Sequence, residues 1–114
     1  MSFAIIPPQV GFSLGPSDTQ AGSLAINNGF WIKGAKAIPI NTATGAIAAL
    51  ASEITITVYV ARGAAVTSIG TIVTAGAAVI ASNLTPTLLG QGDAVTLIAS
   101  AAPGTSRNVA ITLY

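Results

Sequence analysis

At 114 residues the chain has room for one domain with a real core and not for two comfortable ones. Charged residues make up 6% of it, against roughly 25% in an ordinary globular protein, and Lys33, Lys36, Arg62 and Arg107 are scattered among Asp18, Glu53 and Asp93. The net charge of +1 therefore forms no basic stripe of the kind nucleic acid requires. The absence of cysteine and histidine excludes disulfide staples, thiolate metal sites, thiol redox chemistry and the usual general base at neutral pH.

The N-terminus, "MSFAIIPPQVGF", carries no Lys or Arg ahead of its apolar residues, and Pro7-Pro8 cuts the apolar run short. It does not read as a secretory signal. The expectation is a chain whose leader has been removed, or one that reaches the outside within a virion or by deposition on a spore. Residues 3–6, "FAII", are either a first strand or an arm that adds to the sheet edge of a neighbouring subunit. The Pro-, Gly- and Ser-rich stretch 11–23 reads as a linker, which divides the chain into an arm or first strand plus linker (1–23) and a body (24–114).

Within the body, "GSLAI", "GFWIK" and "KAIPI" are brief apolar pieces parted by Asn27-Asn28-Gly29 and by Gly34. Asn28-Gly29 suits a type I′ hairpin turn, and Pro39 demotes its segment to an edge strand or a strand end. Trp31 is expected in the core or in a subunit contact, with a carbohydrate-stacking platform as the functional alternative. The Ala-rich stretch 42–53 fits a helical turn or two as readily as a strand.

In "ITITVYV" Ile54, Ile56, Val58 and Val60 alternate with Thr55, Thr57 and Tyr59, the period of two that puts the aliphatic residues of a strand on one face. "SIGTIVTA" and "AAVIAS" are β-branched runs parted at Ala75-Gly76, where a hairpin is expected. The Gly-rich "GQGD" turn opens a strand over 93–100, and "RNVAITLY", 107–114, repeats the alternation with Val109, Ile111 and Leu113 on one side. Short strands about every ten residues, with turn signals between them, predict an all-β, antiparallel β-sandwich or barrel.

Signals for other functions are thin. The uncharged run Gly63 to Ser82 is long enough for a bilayer, but Thr67, Ser68, Gly70, Thr71, Thr74 and Gly76 interrupt it and no aromatic belt or Lys/Arg cluster frames it. Asp18, Glu53 and Asp93 lie far apart and read as a loop residue, a charge before a strand and a turn residue. No serine elbow, phosphate loop or clustered metal ligands appear, so no enzyme activity, metal or cofactor is expected. Asn83-Leu84-Thr85 has the glycosylation acceptor pattern, but Pro86 follows it.

The series "ITITVYVARGAAVTSIGTIV", "NLTPTLLGQGDAVTLIAS" and "RNVAITLY" resembles the globular head domain of collagen-like surface proteins of bacterial spores, whose fold is a tumour-necrosis-factor-like jelly roll; similar heads occur in phage fibres. The resemblance rests on a Thr-rich alternating strand followed by a small-residue loop, on Gly92-Asp93 opening the strand of Val95 and Leu97, and on the apolar last strand. It covers roughly residues 54–114, and the chain has no Gly-X-Y stalk. It implies a jelly-roll homotrimer with an apolar axis, displayed on a spore exosporium or virion surface, and no catalytic residue.

The resulting expectation is a structural subunit that self-assembles into a homo-oligomer, with Phe3, Ile5, Ile6, Tyr59 and Tyr114 at the interface. Tyr59 and Tyr114 are included because they fall on the faces opposite the aliphatic ones, where Tyr suits a protein contact. The alternatives are a carbohydrate- or receptor-binding fibre tip using Trp31, and a fibre subunit that donates "FAII".

Overall fold

The computed structural model describes residues 9–25 and 29–114. Eight strands run through them: β1 (Val10–Leu14), β2 (Gln20–Ala25), β3 (Phe30–Asn41), β4 (Ile54–Arg62), β5 (Ala65–Thr74), β6 (Ile80–Leu89), β7 (Ala94–Ala99) and β8 (Arg107–Leu113). They form two antiparallel sheets of four strands, ordered β1-β8-β3-β6 and β2-β7-β4-β5, packed together as a β-sandwich. The period of two fixes the register: Ile54, Ile56, Val58 and Val60 of β4 are buried, as are Val95 and Leu97 of β7 and Val109, Ile111 and Leu113 of β8. A one-residue slip would expose each of these sets. Ala35 and Ala37 of β3, also buried, complete the layer between the sheets with Leu14, Ile32 and Leu89.

Successive strands change sheet at every connection except β4 to β5. There Gly63-Ala64 turn between the paired residues Arg62 and Ala65, and Gly63 takes φ +58°, which costs glycine no steric clash. The order of strands corrects several expectations. β5 and β6 do not form a hairpin at Ala75-Gly76, because they belong to different sheets and the segment between them crosses from one layer to the other. β2 and β3 likewise pair with other strands, β2 with β7 and β3 with β6 and β8; the Asn28-Gly29 turn itself involves residues outside the described ones. The expected linker, 11–23, instead holds most of β1 and the start of β2. "FAII" lies outside the described residues.

"GFWIK" and "KAIPI" are one strand. Gly34 marks a register shift against β6 and not a break, and its amide and that of Lys33 both donate to the Tyr114 carbonyl, at 2.9 and 2.7 Å. Pro39 lies inside β3, a central strand, opposite Val109 of β8. This is possible because the β6 ladder ends at Ala37, so on that side Pro39 has no strand partner to which an amide would be owed. Residues 42–53 are neither helix nor strand: after a turn at 42–44, Ile47 makes an isolated bridge back to Ile40 and Leu50 plugs the end of the core.

Candidate functional site

Alternation that buries the aliphatic residues puts the remaining side chains of β2-β7-β4-β5 on an outer face. Across it the register aligns Gln20, Ile98, Thr57 and Thr71 in one row, Thr96, Tyr59 and Ser68 in the next, and Ala94, Ala61 and Val66 beyond, with Thr55 beside Val73 at the other end. None of these residues is an acid or base of the Asp, Glu, Lys or Arg kind. Three are exposed aliphatic residues: Val66 (65%), Ile98 (44%) and Val73 (40%). The face therefore offers β-branched, hydroxyl and small side chains, with no ion to desolvate when it is covered.

The opposite outer face, on β1-β8-β3-β6, is different in kind. Lys33 and Lys36 are exposed on β3, and the Lys36 ammonium lies 5.3 Å from the centre of the Tyr114 ring. That ring covers Gly34 so closely that a Cβ there would come within 2.6 Å of it, which is why the position holds glycine. Ser13 Oγ donates to Asn108 Oδ1 at 3.0 Å. Trp31 is not in the core: it is 60% exposed and sits opposite Leu88 of β6, another exposed apolar residue.

The remaining charges gather at the ends of the sandwich. Asp93 is buried in the β6–β7 turn, where its Oδ2 accepts from the Gly90 amide at 2.7 Å and from Arg62 Nε at 2.9 Å. The Gly90 amide, then the Arg62 guanidinium, holds the Asp93 carboxyl below the usual carboxylate range, against a smaller opposing push from burial. Arg62 also donates to the Leu88 carbonyl. At the other end Arg107 Nε donates to the Ala49 carbonyl at 2.8 Å, tying β8 to the 42–53 loop. Asp18 accepts from the Gly15 amide within its own turn. The three carboxylates thus stand apart, each with a local role or, for Glu53, exposed ahead of β4. Among the described residues no group of three or more acidic side chains could hold a metal, and no helix is long and apolar enough to cross a membrane.

One cleft lies where the edges of β5 and β6 part. It encloses about 210 Å³, with Val60 and Ile69 as its aliphatic floor, Thr67, Ser68, Thr85 and Thr87 on its walls and Arg62 at its rim.

Of the residues singled out in the sequence, Tyr59 stands on the uncharged face and Tyr114 on the lysine-bearing one, so the fold does not bring the two together. Phe3, Ile5 and Ile6 lie outside the described residues. Ile98, Val66 and Val73 are not among those residues, although Ile98 follows Thr96 by two and must share its side of the strand. No protein-family model matches the sequence, and no curated protein is significantly similar to it.

Proposed function

We propose that this protein is a non-enzymatic structural subunit that assembles with copies of itself through the uncharged outer face of β2-β7-β4-β5. The observation that carries this reading is the asymmetry between the two outer faces: lysines stand on one, while the other has no charged side chain among its described residues and exposes Ile98, Val73 and Val66. A solitary subunit stays dispersed through charged, patch-free surfaces, and a face of this composition is stable in water chiefly when covered. The like composition of the face across all four strands suits another copy of itself, with Tyr59 near its middle as the aromatic contact.

Two further features support placing this subunit among the spore-surface and phage-fibre heads that the sequence resembles. The sheet orders β1-β8-β3-β6 and β2-β7-β4-β5, with layers exchanged at nearly every connection, suit a jelly roll of eight strands in two sheets. Low charge suits a particle exterior built from packed copies. On that reading the homo-oligomer coats a spore or virion.

The test is a pair of lysines at the centre of the face. Thr57→Lys with Thr71→Lys introduces charges that assembly would have to desolvate, while each side chain points to solvent in the single subunit. The expected result is a lower solution mass by light scattering, with urea stability lower than the parent's by no more than about 1 kcal/mol, the cost of two like charges directly opposite across β4 and β5. A doubly substituted protein that keeps the parent's mass rejects this face.

A second reading, recognition of a carbohydrate or receptor, is favoured by one observation, the exposed Trp31 indole beside Leu88 with Lys33 on the same strand. Stacking of a sugar ring on Trp31 predicts binding on a glycan array that disappears in Trp31→Ala; binding unchanged by that substitution removes it.

A further inference from the structure

Each sheet of a sandwich leaves two edges whose backbone groups can pair with another chain, and stable proteins blunt such edges by shortness, bulges, proline or charge. Here the edges are β1 and β6 in one sheet and β2 and β5 in the other. β1 is five residues long. β2 shifts register between Ala21 and Leu24, with Gly22 at φ +55°. β6 shifts register between Thr87 and Asn83, and Pro86, which has no amide to give, falls in that interval.

β5 has its own register shift at Ile69 but none of these protections from Ala65 to Ser68. It is ten residues long, with no charged residue and no proline. Past its own shift opposite Tyr59 it pairs regularly with β4 from Ser68 back to Ala65. Its second half is partly covered, since Ser82 Oγ of β6 donates to the Thr71 carbonyl at 2.9 Å. The first half borders the cleft where β6 has drawn away, and Val66 there is the most exposed of the large apolar side chains among the described residues.

We infer that the open edge of β5, residues 65–68, pairs antiparallel with the same edge of a second copy, so that two chains share one eight-stranded sheet with an uncharged outer face. The inference rests on the proposed self-assembly through the outer face and supplies what that face lacks by itself. Strands of 6, 6, 9 and 10 residues, at about 3.3 Å per residue and about 4.8 Å per strand, give one chain a face of roughly 500 Å². Stacked on a like face it removes about 1,000 Å² from water, short of the roughly 1,200 Å² at which specific interfaces begin. Edge pairing doubles the continuous face, and stacking two such pairs then removes about 2,000 Å². A second copy is the fitting occupant because the pairing is isologous: neutral residues meet neutral residues, no like charges oppose one another, and the neutral face continues across the seam. The assembly is a pair of pairs, with an even number of chains, and differs from the threefold arrangement implied by the resemblance.

The test compares solution mass and amide hydrogen exchange in the full chain, in Thr67→Lys at the edge, in the face variant carrying Thr57→Lys and Thr71→Lys, and in a chain lacking residues 1–8. The parent is expected to contain four chains. The face variant should halve that mass and leave edge pairs, and Thr67→Lys should reduce it to two chains or one. Amides of 65–68 that do not bond to β4 should be protected in the parent and in the face variant and exchange freely in Thr67→Lys, while β8 amides stay protected as the control for folding. If Thr67→Lys does not fold, dilution of the parent answers instead, since edge protection must fall as chains separate. An edge variant with the parent's mass, a threefold parent, edge protection that persists at dilutions where the mass is that of a single chain, or protection lost on deleting residues 1–8 overturns the inference. A face variant with the parent's mass rejects the face and leaves the edge standing.

Discussion

Thr74 ends β5 on the inward side, 2% exposed, and its hydroxyl has no hydrogen-bond partner among the described residues. A buried hydroxyl without a partner carries its desolvation cost uncompensated, about 1–3 kcal/mol. Valine has nearly the same shape and no such group. Thr74→Val is therefore expected to raise stability by about 1 kcal/mol, read as a higher urea midpoint at unchanged slope; a lower midpoint would mean that the hydroxyl is satisfied in solution. Gly70 stands close by in the same strand and has the opposite constraint. Its φ is +146°, and a Cβ there would meet Leu84 Cδ2 at 2.8 Å. Both the backbone conformation and the packing against β6 therefore depend on a residue without a side chain.

At the level of elements, Arg62 and Asp93 join the end of β4 to the turn between β6 and β7, and so tie an edge strand of one sheet to the middle of the other. Because the folded protein holds the Asp93 carboxyl below its ordinary value, the contribution is fully present above the unfolded carboxyl's pKa, about 4, and is lost as pH falls through the folded value. Urea midpoints of the parent should decline as pH drops below about 4. Asp93→Asn should be weaker at neutral pH and lack that part of the decline; parallel curves for the two proteins would contradict the tie.

The strands β4, β7 and β8 were legible in the sequence because each has one face in the core and one outside, so periodicity reports them directly. Connections were less legible. A turn signal such as Ala75-Gly76 says that the chain reverses and not whether the next strand pairs with the last or crosses to the other sheet, a choice settled by long-range partners. Pro39 misled for a related reason, since its place in a central strand depends on where β6 stops. Trp31 could be assigned to an outer face only once the register of β3 against β6 was known, and only the strand order puts Tyr114 on a different sheet from Tyr59.

For the molecule as a whole, the scarcity of charge matters less than its distribution. Charges sit on the β1-β8-β3-β6 side and at the two ends, while the β2-β7-β4-β5 side is left neutral. The proposed assembly through the neutral side involves no ion pairs, so added salt should neither dissolve nor drive it by screening. The measurement that bears most directly on this is the solution mass of the unmodified protein by light scattering across a range of concentration, from low to roughly molar salt. The account predicts a fixed multiple of 11.2 kDa that persists at every ionic strength. A single-chain mass at all concentrations, or an assembly that comes apart as salt is raised, would contradict it.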